Sequence, residues 1–202
     1  MPEQQPVKRK RTTQRKDEIL QALAKMLGNQ RQGRITTATL AKEVGVSEAA
    51  LYRHFSSKAS IYQGLIEFIE ESLFTRINII MKEQNSTLVR CEHLLTLVLA
   101  FAEQNPGLCR LLTGEALAGE DAELCKRMTR LFDRIEVQIK QVLRETELRE
   151  GRSIALSTTA TASMLLAIVE GRILQFVRSG FQRRPTYEWS IQWEHLASGL
   201  VV

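Results

Sequence analysis

"ITTATLAKEVGVSEAALYRHFSSK", Ile35 to Lys58, is the stretch that decides the fold. Thr36 or Thr37 is a natural N-cap for a short helix through "ATLAKEV", with Leu40, Ala41 and Val44 facing inward. Gly45 ends that helix, because a tight turn here needs the positive φ that glycine adopts freely. Ser47 caps a third helix, Glu48–Phe55, and Ser56 or Ser57 caps a fourth. Helix, glycine turn and capped two-turn helix make the helix-turn-helix arrangement, whose second helix enters the DNA major groove.

The residue types in that second helix suit this task. Ala49 and Ala50 are small enough for close approach to base edges and thymine methyl groups. Glu48 either accepts from a cytosine amino group or favours the positive end of its helix. Ser47 caps and can also reach a phosphate. Tyr52 presents a hydroxyl to the strand while its ring packs, and Arg53 donates to a base or to the backbone. His54 either meets a phosphate or closes the helix end, and Phe55 fastens the helix to the first helix. Thr36 and Thr37 at one helix start, and Lys58 at another, suit phosphates. The expected DNA-binding set is Thr36, Thr37, Ser47, Glu48, Ala49, Ala50, Tyr52, Arg53, His54 and Lys58.

Charge supports a polyanion-binding head. The 202-residue chain carries a net charge of +5, and residues 1–58 hold 12 Lys/Arg against 5 Asp/Glu, so the remainder is slightly acidic. Residues 1–10, "MPEQQPVKRK", read as a mobile basic arm. Lys8–Arg11 either reach the DNA backbone or minor groove or form a solubilising tail. A first helix starts at Thr12 or Thr13, with Ile19, Leu20, Leu23 and Leu27 on one stripe, and "GNQRQG" ends it. Residues 11–57 then form the DNA-binding domain, and 58–202 a helical dimerisation and partner-binding domain.

The body reads as all-α, for about nine helices in total. A long fourth helix is expected over Lys58–Met81, a fifth over Thr87–Gln104 stopped by "NPG", and a short sixth through "LCRLLTG". A seventh and an eighth occupy about 121–148 and 156–179, and a last one Tyr187–Leu200. Gly171 interrupts the apolar pattern of the eighth, at a cost of about 1 kcal/mol relative to alanine. Close approach of another helix explains such a glycine, and a helix-turn-helix generally works in pairs, so a homodimer through the seventh and eighth helices is expected. The uncharged stretch Ser153–Val169 is shorter than a membrane span needs and is read as a buried helix.

Other function classes find little support. Cys91, Cys109 and Cys125 form no CxxC, lie in apolar helical patterns and read as buried free thiols, even with Arg110 beside Cys109. His54, His93 and His195 lack metal-ligand spacing, and no P-loop or GxGxxG occurs. No enzyme activity, metal or cofactor is expected, and the location is cytoplasmic.

These residues resemble TetR-type regulators. "LYRHF" followed by "SK" is a specific signature of their DNA-binding head, and "LIEFIE-SL-TRIN", "NPGL-R-LTG" and "FVRS-F--RPT" resemble the nucleoid occlusion factors within that family, from Lys8 to the end. The resemblance implies a dimer on palindromic chromosomal sites that binds the cell-division GTPase FtsZ while DNA-bound and blocks division-ring assembly over the nucleoid. It also implies an FtsZ-binding surface at Phe68, Arg76, Leu97 and Asn105, although periodicity alone places Phe68 and Leu97 in the core. The chain departs from the family pattern at Ala100, where glycine is expected, and at Gln104, where arginine is expected. A ligand-released repressor is the alternative, with Thr159, Thr161 and Ser163 lining a pocket or bonding their own helix.

Overall fold

Three serine and threonine caps set the frame of the head. The computed structural model describes residues 6–29, 35–83 and 86–201, with the backbone alone at 6–13 and 147. Its helices are α1 Pro6–Gly28, α2 Thr37–Val44, α3 Glu48–Tyr52, α4 Lys58–Ile80, α5 Thr87–Gln104, α6 Pro106–Leu112, α7 Ala122–Glu150, α8 Thr158–Arg178 and α9 Trp189–Ala197, with a 3-10 turn at Glu115–Leu117. Thr36 caps α2, Ser47 caps α3 and Ser57 caps α4, the first and last in reciprocal boxes with Thr39 and Ser60. Gly45 closes α2 in the left-handed region at φ 75°.

Several boundaries differ from the sequence reading. Helix α1 begins at Pro6, so residues 6–10 of the expected arm are helical. Proline is at home in a first helical turn, and the Lys/Arg run behind it favours helix. Residues 1–5 and the side chains of Lys8–Arg11 lie outside the described residues. Helix α3 stops at Tyr52 rather than Phe55, its end tightened by the bond from His54 N–H to Leu51 C=O at 2.9 Å. Helix α6 starts at Pro106, again using proline in the first turn. Helix α9 is shorter at both ends than expected.

Head and body share one core. Ile19 and Leu23 of α1, Leu40 of α2, Leu51 of α3 and Phe55 pack with Ile61 and Leu65 of α4, and that cluster continues through α5 to α8. Phe55 is the expected anchor: Lys16 of α1 lies 5.5 Å over its ring, and its edge meets the Gly64 position of α4. Helix α6 packs along α1, where a Cβ on Gly107 would stand 2.0 Å from the Ala24 carbonyl oxygen. Helices α7 and α8 pack side by side and, with α4 and α5, enclose the body core.

Two expectations about the body change. Cys91 and Cys109 are buried, and burial pushes both thiols up to about 12, but Cys125 is exposed on the outer face of α7. Helix α8, at 21 residues, is long and apolar enough to cross a membrane, because it continues past Val169 to Arg178. Its Leu165, Val169, Ile173 and Phe176 are buried in the protein core.

Candidate nucleic-acid interface and partner groove

The three short segments of the head project one polar edge. Ala49, Tyr52 and Arg53 are exposed, while Leu51 between them is fully buried and fixes the rotation of α3. Ser47 Oγ accepts from Ala50 N–H at 3.2 Å, which satisfies an otherwise free donor of the first turn. Tyr52 is 46% exposed, a large aromatic left outside with Arg53 beside it. His54 is half-buried, and its enclosed Nδ1 atom has no hydrogen-bond partner among the described residues.

Besides Ser47, four of the expected contacts already have partners within the chain. Thr36 is occupied as the α2 cap, accepting from Thr39 N–H at 3.1 Å. Thr37 Oγ1 donates to Glu48 Oε2 at 2.8 Å, so the Glu48 carboxylate ties α3 to the start of α2 instead of standing free for a cytosine. Lys58 Nζ lies 2.5 Å from Glu120 Oε1 and 5.5 Å over the Tyr62 ring. Nothing in the local sequence signals either carboxylate contact. The partners are 11 and 62 positions away, and only the packing of separate elements joins them.

A groove of about 490 Å³ runs beside the head. Asp17, Leu20, Gln21 and Ala24 of α1 form one wall, Leu65 and Phe68 of α4 the other, and Asn105 and Leu108 close the end at α6. Phe68 is 46% exposed, so the core position suggested by periodicity is not the one it takes. Asn105 donates from Nδ2 to the Phe101 carbonyl at 2.8 Å, which orients the amide at the groove mouth. Arg76 is exposed about two turns further along α4, and Leu97 is half-buried on α5; neither lines the groove. The resemblance gives no residue of α1 to this surface, yet α1 forms a wall of it. The sequence carries it only as Leu20 and Ala24, apolar and spaced four apart beside Ile19 and Leu23, and the structure leaves both half-buried.

The polar residues of α8 do not converge. Thr159 and Ser163 are exposed, whereas Thr161 is 1% exposed and its hydroxyl has no partner among the described residues. His93 Nδ1 meets Glu83 at 2.9 Å, and His195 is exposed. Among the described residues no group of three or more His, Cys, Asp or Glu is placed to hold a metal ion.

Comparison with known proteins follows the same division of the chain. Residues 17–65 match the family model for bacterial regulatory proteins of the tetR family. Residues 82–201 match the SlmA-like model, described as a tetracyclin repressor-like C-terminal domain. The nucleoid occlusion factor SlmA of Marinomonas sp. (strain MWYL1) is 57% identical over 188 residues, covering 93% of this chain and 95% of that protein. That of Shewanella pealeana is 54% identical over 187 residues, covering 93% and 95%. The crystal structure of FadR from Bacillus subtilis with stearoyl-CoA superposes with a TM-score of 0.75 at 15% identity, covering 91% of this chain and 98% of that one. A TetR regulator from Haloarcula marismortui gives 0.75 at 20% identity, covering 93% and 99%. At those identities the structures speak for the fold alone. With a helix-turn-helix head, a matching C-terminal domain and relatives more than half identical over nearly the whole chain, this protein belongs to the SlmA family of nucleoid occlusion factors, within the TetR-type DNA-binding regulators.

Proposed function

We propose that this chain is a nucleoid occlusion factor that sits as a homodimer on palindromic chromosomal DNA and, there, binds FtsZ and blocks division-ring assembly over the nucleoid. The observation that carries the reading is Phe68. A large apolar ring exposed on a body helix, in a groove next to the DNA-binding head, is a docking feature and not a packing one. Arg76 on the same helix supplies a charge for an acidic segment. On the DNA side, Tyr52 and Arg53 grip the strand, Ala49 and Ala50 approach base edges, and Ser47, His54, Thr36, Thr37 and Lys58 meet phosphates as the duplex seats. The protein acts in the cytoplasm, on the nucleoid. A ligand-released repressor gains nothing from Thr159, Thr161 and Ser163, which face different surroundings.

The test is titration of an FtsZ C-terminal peptide into the protein with and without a duplex selected by the protein from a random pool. Binding is expected in the presence of DNA. Phe68→Ala abolishes it while leaving DNA affinity and thermal stability unchanged, because the ring is not part of the core. Absence of peptide binding in both conditions sinks the occlusion reading and favours the repressor.

Dimerisation is assigned to α7 and α8. Val137, Met164 and Leu174 expose apolar surface on these two helices, and a Cβ on Gly171 would meet nothing within 4 Å among the described residues of the single chain. In an isolated protomer Gly171→Ala would therefore gain about 1 kcal/mol of helix propensity. Across a close helix crossing it instead costs affinity, and a weaker dimer in sedimentation equilibrium is the expected result.

A further inference from the structure

We propose that Glu120 acts as an internal stand-in for a DNA phosphate, restraining Lys58 until the duplex displaces it. Lys58 is the first residue of α4, directly behind the Ser57 cap and a few residues beyond the recognition helix. There its ammonium would face the sugar–phosphate backbone. It is instead held by Glu120, with the two side chains only 24% and 12% exposed. Two other ion pairs among the described residues of the head, Arg15–Glu18 and Lys25–Glu43, have their cations 44% and 78% exposed, and such pairs contribute little. The Lys58–Glu120 pair is drier, and the Tyr62 ring under the ammonium steadies it further.

Glu120 does not belong to the head. It lies between the 3-10 turn and α7, where Gly119 takes φ 77° and Glu120 N–H donates to Leu117 C=O at 3.0 Å. The pair crosses a cavity of about 390 Å³ between the end of α1, at Met26 and Leu27, and the body, at Arg110 and Ala118. Displacing the carboxylate gives the lysine to a phosphate and frees the turn that leads into α7. By linkage, whatever holds that turn against Lys58 weakens DNA binding by the same factor.

The inference rests on the proposed phosphate contact of Lys58, and the experiment separates the two. DNA affinity is measured against salt concentration for the wild type, Glu120→Gln, Glu120→Asp, Lys58→Gln and the Lys58→Gln/Glu120→Gln double variant, with the selected duplex and with thermal melts as fold controls. Glu120→Gln is expected to bind several-fold more tightly with the log K–log salt slope unchanged, since Lys58 neutralises the same phosphate in both complexes, whereas Lys58→Gln makes the slope shallower by about one per protomer. Glu120→Asp, which keeps the charge but loses the reach, gives a gain of the same sign and carries the test if the glutamine variant is misfolded. Adding Lys58→Gln removes the gain. If neither Glu120 variant gains affinity while Lys58→Gln weakens binding, Lys58 touches DNA unrestrained and the inference is wrong. If the gain survives in the double variant, Glu120 acts only as a nearby negative charge and the inference is again wrong. If Lys58→Gln and both Glu120 variants all bind as the wild type does, the phosphate contact itself falls.

Discussion

Gly107→Ala should destabilise the chain by about 3 kcal/mol, at the upper end of what overpacking costs. The added Cβ would stand 2.0 Å from the Ala24 carbonyl oxygen, 3.0 Å from the Ala24 carbonyl carbon and 2.8 Å from the Gly28 nitrogen. All three are backbone atoms, so no side-chain rotation relieves the clash, and α6 must move away from α1. For a chain of this length the midpoint of thermal unfolding falls by about 10 °C. Gly28 faces the same seam, but a Cβ there meets Gly107 N and Cα at 3.5 and 3.7 Å, ordinary contact distances. Gly28→Ala is thus the matched control and should melt close to the wild type. Equal melting of the two variants would mean that α1 and α6 do not approach as closely as described.

The second large effect is at Arg90. Its side chain is fully buried on α5, Nη1 donates to Glu145 Oε2 of α7 at 2.9 Å, and Nε and Nη2 have no hydrogen-bond partner among the described residues. Burial pushes the Glu145 carboxyl up, but the hydrogen bond and charge of Arg90, with Gln141 and Arg149 behind them, carry it below its ordinary value. Removing one partner of such a pair strands a buried charge, so Glu145→Ala is expected to cost about 3–5 kcal/mol. Arg90→Met, which removes the charge and keeps the volume, is expected to be neutral or stabilising by as much as about 1 kcal/mol. Urea unfolding of both variants decides the matter, and a Glu145→Ala loss below that of Arg90→Met refutes it. The pH dependence has a definite sign. A carboxyl whose folded pKa is depressed contributes stability above its unfolded value, and the contribution is lost as pH falls through the folded one. Glu150 is lowered too: burial raises it, but the Thr87 hydrogen bonds and the charges of Arg152 and Arg90 outweigh that. Acid should therefore loosen the α5–α7 contact from about pH 4 downward, and Glu145→Ala should flatten that limb.

The parts of this fold legible in sequence are those governed by neighbours along the chain. Caps at Thr36, Ser47 and Ser57, the glycine turn at Gly45 and the apolar stripes of α1 and α4 all follow from local chemistry. Helix ends were less legible, because the stop of α3 at Tyr52 is set by where the chain must leave for α4. Phe68 shows the limit of periodicity: it belongs to the apolar pattern of α4, yet only the placement of α1 and α6 decides whether it is covered. Cys125 shows the same limit, lying one residue from the buried Leu124 but facing out. The engagement of Glu48 by Thr37 and of Lys58 by Glu120 is a tertiary matter altogether.

One wall of the groove beside Phe68 belongs to the DNA-reading unit, through Asp17, Leu20, Gln21 and Ala24, and the other to the rest of the molecule. Its width is therefore a gauge of the angle at which that unit is carried. In the proposed dimer, a duplex with fixed half-site spacing would select one such angle on each protomer. A partner segment docked there, as proposed, would feel that selection without touching DNA, and would in turn bias which duplex spacings the pair of heads accepts. Chromosomal sequence would then tune the strength of the second interaction, through geometry alone.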